Sequence, residues 1–154
     1  MRPANGVLNS NFMVNGPIIL VEDDQDDREI LEEVFESLHI TNKLIFFSDG
    51  QAALDYLMTT TDHPFIILTD VNLPKMRGTE LLQNINENEY LRKKSIPFIF
   101  LTTSADPASV RDAYEQMVQG FFQKEHRYEQ VKKIIKLIVE YWTFCKHPNN
   151  IEQG

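Results

Sequence analysis

Four short apolar runs in the chain each end on a polar group of a useful kind. Ile18-Ile19-Leu20-Val21 runs into Glu22-Asp23-Asp24, and Phe65-Ile66-Ile67-Leu68-Thr69 into Asp70. Pro97-Phe98-Ile99-Phe100-Leu101 runs into Thr102-Thr103-Ser104, and Gly120-Phe121-Phe122-Gln123 into Lys124. Crowded carboxylates such as Asp23 and Asp24 repel one another unless a cation neutralises them, and a hard divalent ion such as Mg²⁺ prefers oxygen ligands. An aspartate can attack phosphorus, while a hydroxyl and an ammonium can hold the transferred oxygens. Each residue also has a plainer role. Asp70 can end a strand or open a turn, Asp26 and Asp27 can cap a helix or favour its first turn, Thr102 suits a strand, and a lone lysine is ordinarily solvated. The chemical reading therefore depends on whether the elements bring the four ends together.

The elements follow from the pattern. Continuous apolar runs bounded by turn residues read as strands covered on both faces, which is the mark of a parallel sheet. Leu44-Ile45-Phe46-Phe47 supplies a further strand. Between the strands lie helical patterns: Ile30, Leu31, Val34, Phe35 and Leu38; then Ala53, Leu57 and neighbours; then Leu81, Leu82 and Ile85 after Gly78. Another helix starts near Pro107, capped by Ser104 or Asp106, and the last runs from about Tyr128 to Cys145. Residues 86–95 read as a long charged connection. Five strands alternating with five helices, joined by right-handed crossovers, give an α/β, flavodoxin-like, doubly wound five-stranded parallel sheet of order 2-1-3-4-5. In that order the four polar strand ends meet at the carboxyl edge, where such sheets bind ligands.

In the last helix, Val131, Ile135, Ile138, Trp142 and Cys145 form one stripe, and Ile134, Leu137, Tyr141 and Phe144 a second beside it. Together they cover roughly 180°, wider than a core-facing stripe needs. Deeper burial, a fold of the tail over the helix, and a face for a partner or second copy each account for this width. Residues 1–16 and 147–154 lack a sustained period and read as a flexible leader and a tail.

Composition narrows the setting. The 154 residues suit one domain, and a net charge of −8 argues against non-specific binding to nucleic acid or anionic membrane. A single cysteine, Cys145, leaves no intrachain disulfide and no multi-cysteine metal site. No apolar run approaches the ~20 residues of a membrane span, and no secretory signal is visible, so a cytoplasmic protein is expected.

Acid pair, acceptor aspartate, threonine and lysine, in order at these strand ends, make the chain similar to the receiver domains of two-component response regulators. The single-domain chemotaxis type is nearest in pattern, and Leu101-Thr102-Thr103-Ser104 with the 86–95 connection resembles a stand-alone subgroup associated with phytochrome-type kinases. The resemblance spans nearly the whole chain and implies a receiver at 17–146. It implies that Asp70 is the phospho-acceptor, that Asp24 ligates Mg²⁺ directly with help from Asp23, and that the backbone carbonyl of Asn72 is a further ligand. It also implies that Thr102 and Lys124 contact the phosphoryl group and that Phe121 is the aromatic switch moving with Thr102. The implied donor is a sensor histidine kinase or histidine phosphotransfer protein. Output would pass through the fourth-helix, fifth-strand, fifth-helix face to a downstream protein, and the wide apolar face of the last helix also suits a homodimer. Such a protein accepts a phosphoryl group without being a turnover enzyme.

Two positions depart from the pattern. Glu125 stands where proline usually follows the lysine, which argues against a cis bond there, and Thr103 replaces a smaller residue and would narrow access to Asp70. Asn72 and Ser104 lie where side chains tune hydrolysis of a phospho-aspartate. A scaffold that binds partners without phosphorylation is the alternative. A phosphatase of the haloacid dehalogenase type would need Asp-x-Asp followed by Thr or Val two positions on. Here Asp24-Gln25-Asp26 is followed by Asp27-Arg28, so that signature fails.

Overall fold

The computed structural model describes residues 14–147. Its elements are β1 (Ile18–Val21), α1 (Gln25–Ser37), β2 (Leu44–Phe47), α2 (Gly50–Thr59), β3 (Ile66–Thr69), α3 (Gly78–Glu87), α4 (Glu89–Lys94), β4 (Phe98–Thr102), α5 (Pro107–Glu115), β5 (Gly120–Gln123) and α6 (Tyr128–Phe144). All strand pairings are parallel and the order is 2-1-3-4-5, as the pattern predicts.

Alternation along each strand divides the core between the two faces of the sheet. Ile18, Leu20, Ile66, Leu68, Ile99 and Leu101 point to the side covered by α1 and α6. Ile19, Val21, Ile67, Phe98 and Phe100 point to the side covered by α2, α3, α4 and α5. Side chains of β1, β3 and β4 are buried throughout, and each large one contributes about 1.5–3 kcal/mol by leaving water. The edge strands β2 and β5 are only half-buried, with Gln123 exposed.

The structure contains a sixth helix, α4, within the stretch 86–95 that the sequence reads as a connection. Asn88 caps it, its side chain accepting from the Leu91 N–H at 2.9 Å. Arg92, Lys93 and Lys94 lie at the carboxyl end, which favours positive charge, and Ser95 ends the helix in the left-handed conformation. Leu91, buried in the second core, is its only anchor there. One apolar contact in six residues leaves no periodicity to detect.

The paired stripes of α6 separate. Val131, Ile134, Ile135 and Ile138 are buried, whereas Leu137, Tyr141 and Phe144 are 56%, 63% and 86% exposed. The second stripe is therefore mostly surface. Residues 1–13 of the leader and 148–154 of the tail lie outside the described residues. The end of the leader is tied down: the Asn42 side-chain amide donates to the carbonyls of Val14 at 2.6 Å and Gly16 at 2.8 Å. No helix among the described residues is long and apolar enough to cross a membrane.

Candidate phosphoryl-acceptor site

The sheet ladder continues one residue past the strand ends and fixes the site. Glu22 N–H donates to Phe47 C=O at 2.9 Å, Asp70 N–H to Val21 C=O at 3.0 Å, and Lys124 N–H to Thr102 C=O at 2.9 Å. Asp70, Thr102 and Lys124 thus share one edge, as the strand order requires. The Thr102 hydroxyl donates to Asp70 Oδ1 at 2.6 Å and itself accepts from the Ser104 N–H at 3.2 Å. Thr103 is exposed.

The loop leaving Asp70 is held by short-range bonds. Asn72 N–H donates to Asp70 Oδ1 at 3.3 Å, and the Arg77 guanidinium donates to the Asn72 side-chain oxygen at 3.3 Å. Gly78 N–H donates to Val71 C=O at 2.8 Å. A Cβ at Gly78 would run into the Asp70 carbonyl and lie 2.7 Å from the Phe100 ring, so only glycine lets α3 start this close to the end of β3. Phe121, half-buried on β5, packs 5.5 Å from Phe100 and belongs to the second core.

Of the acids expected to hold a metal, Asp23 and Asp70 come together, joined by Glu22. Carboxylate oxygens of Glu22, Asp23 and Asp70 lie within 4.8 Å of one another. Asp24 is not in this group. Its Oδ1 accepts from the Asp27 N–H at 3.0 Å and caps α1, while Asp26 and Asp27 occupy the first turn. The reason is register: β1 ends at Val21 and α1 begins at Gln25, so the first two acids after the strand face the site and the third falls at the cap. The sequence reading placed capping and first-turn charge on Asp26 and Asp27, and metal on Asp23, Asp24 and Asp70 with the Asn72 carbonyl. Spacing does carry the signal, in an aspartate three residues before another acid at a helix start.

Glu22 is buried, and burial pushes its carboxyl above the ordinary value. The Lys124 charge opposes this and the Asp70 charge adds to it. Lys124, also buried, directs its ammonium to Glu22 Oε1 at 3.0 Å and to Asp27 Oδ2 at 3.7 Å. A cavity of about 10 Å³ is walled by Glu22, Asp70 and Lys124 with apolar residues beneath. Three converging carboxylates suit a hard divalent cation, which takes oxygen ligands. After Lys124, no peptide bond among the described residues is cis. Glu125 instead donates its N–H to Gln130 Oε1 at 2.7 Å, a bond that proline cannot make.

The comparisons agree with this geometry. The response regulator receiver domain family model matches residues 18–136. The chain is 36% identical over 129 residues to the probable methanogenesis regulatory protein FilR2 of Methanothrix harundinacea, covering 81% of this chain and 82% of that one. It is 34% identical over 130 residues to the response regulator Rcp1 of Synechocystis, covering 81% and 87%. The structure of the Mn²⁺-bound form of Rcp1 superposes with a TM-score of 0.73 at 32% identity, covering 84% of this chain and 95% of that one. The phosphorylated cyanobacterial phytochrome response regulator RcpA gives 0.76 at 29% identity with the same coverage. With sheet order, strand-end chemistry and sequence in agreement, the chain belongs to the response regulator receiver domain family of two-component signal transduction.

Proposed function

We propose that this receiver accepts a phosphoryl group on Asp70 from the phosphohistidine of a sensor histidine kinase or histidine phosphotransfer protein. The observation that carries the reading is Asp70 itself, bonded to Thr102 at 2.6 Å and grouped with two more carboxylates at one sheet edge. An Asp70 carboxylate oxygen forms a bond to phosphorus as the P–N bond to the donor imidazole breaks. The electron pair leaves with the imidazole, which takes up a proton. Thr102 and Lys124 hold the transferred oxygens. Glu22, Asp23 and Asp70, with the Asn72 backbone carbonyl, would hold Mg²⁺, which would neutralise charge on the carboxylates and the phosphoryl oxygens. The Mn²⁺-bound Rcp1 structure supports a divalent ion at such a site, and phosphorylated RcpA supports the modification.

The added charge at Asp70 draws Lys124 toward it, and the shift passes through Thr102 and Phe121 to the face formed by α5, β5 and α6, which a downstream protein or a second copy reads. The exposed Tyr114, Leu137 and Tyr141 beside Phe121 support this surface, and a groove of about 390 Å³ runs between them. Calorimetric titration with beryllofluoride, a phosphoryl mimic, tests the reading. Saturable binding that needs both Mg²⁺ and Asp70 is expected. Equal binding by Asp70→Asn, or none by the wild type, would favour a scaffold that acts unphosphorylated.

A further inference from the structure

One buried acid has no part in the scheme above. Asp27 lies in the first turn of α1 with its side chain 8% exposed. A favourable helix dipole explains an acid in a first turn, but it does not explain one that is buried. Its two oxygens have separate partners. Oδ2 lies 3.7 Å from the Lys124 ammonium, and Oδ1 lies 3.0 Å from Nδ1 of His126, two residues beyond that lysine. His126 thus fixes the carboxylate from the loop after β5, leaving the other oxygen on Lys124. The same ammonium is 3.0 Å from Glu22 Oε1. Lys124 is held between two buried carboxylates, and neither is Asp70.

Thr102 and Lys124 therefore stand differently. The hydroxyl already donates to Asp70, whereas the ammonium is engaged elsewhere. A buried ammonium keeps its counterions because an unpaired charge in the interior is costly. Glu22 belongs to the carboxylate group that would hold a cation, so a bound cation weakens its hold on Lys124. Asp27 is outside that group, so a cation held there leaves its pairing with the lysine in place.

We propose that Asp27 is a positioning residue: it holds the Lys124 ammonium in reserve on the Glu22 side of the site and opposes its transfer to a phosphoryl group on Asp70. The inference rests on the phosphoryl-acceptor reading and adds to it a residue that sets how readily the switch is made. Asp27 touches no reacting atom and acts through Lys124.

The test is titration of the full chain with Mg²⁺ alone and with beryllofluoride at saturating Mg²⁺, for wild type, Asp27→Asn and Asp26→Asn. Asp26 is an exposed acid of the same turn, and its variant measures the general effect of removing one negative charge. Asp27→Asn is expected to bind beryllofluoride more tightly by about tenfold, the scale of coupling within a charge network. Its Mg²⁺ affinity should not tighten, and Asp26→Asn should stay within about twofold of wild type for both ligands. A merely structural role for Asp27 would weaken both ligands together. Such weakening, an unchanged beryllofluoride affinity, or an equal gain in Asp26→Asn would overturn the proposal. If Asp27→Asn does not fold, Asp27→Ser removes the same charge and carries the same expectation. A wild type that binds no beryllofluoride with Mg²⁺ would remove the acceptor reading and this inference with it. Wild-type binding with no gain in the variants would remove this inference alone.

Discussion

Glu22 is a buried carboxylate with an ammonium on one side and a second carboxylate nearby. Burial raises its pKa first, Asp70 adds to the rise, and Lys124 opposes it. A carboxyl raised in the folded state binds more protons there than when unfolded, so its contribution to stability falls as pH climbs from the ordinary glutamate value through the raised one. The stability of the wild type relative to Glu22→Gln, from urea unfolding in chelator, is therefore expected to fall across that window and level off above it. A flat difference would mean that Glu22 titrates normally. The neighbouring acids separate by role. Asp24→Ala is expected to cost about 1 kcal/mol of stability through the lost cap while leaving Mg²⁺ affinity near wild type. Asp23→Ala should weaken Mg²⁺ binding by on the order of tenfold or more with little loss of stability, since Asp23 is exposed. Titration and urea unfolding of the two variants read both effects. The sequence shows that acids gather at this strand end, but it does not show which one faces the site. That depends on where β1 stops and α1 starts, and boundaries shift by one or two residues without any change in pattern. The tie between Asp27 and His126 is less visible still, because it joins positions 99 residues apart.

At the scale of elements, what was legible follows from burial. β1, β3 and β4 are covered on both faces and read as unbroken apolar runs, so their order and the convergence of Asp70, Thr102 and Lys124 follow from the chain. α4 was not legible because its attachment is Leu91 alone, supported by the Asn88 cap and basic residues in its last turn. α6 was legible as a helix, but not in how its wide apolar surface divides. That division is testable by urea unfolding. Ile135, fully buried between α6 and the sheet, should cost about 2–5 kcal/mol when cut to Ala. Tyr141→Ala and Leu137→Ala should each stay within about 0.5 kcal/mol, because both side chains are mostly in water. A large loss from either exposed residue would mean that this face is covered within the protein. Gly78→Ala should destabilise by more than the usual gain from replacing glycine, since its Cβ meets the carbonyl of Asp70.

At the scale of the whole molecule, the two cores hang on one sheet, and the site lies where both meet. Phe100 and Phe121 lie in the core covered by α2, α3, α4 and α5, while the residues beneath Lys124 lie in the core shared with α1 and α6. On the proposed reading, a charge added at Asp70 acts on both layers: through Thr102 and Phe121 toward α5, and through Lys124, Asp27 and His126 toward α1 and the start of α6. Packed layers respond to such a change by moving between discrete arrangements, which is how a local charge becomes a change of surface. All of this depends on Asp70 being modified. The most direct test is the intact mass of the protein after incubation with acetyl phosphate and Mg²⁺, beside a metal-free sample and Asp70→Asn. The account predicts one phosphoryl adduct in the wild type with Mg²⁺ and none in either control. An adduct of equal yield in Asp70→Asn would contradict it.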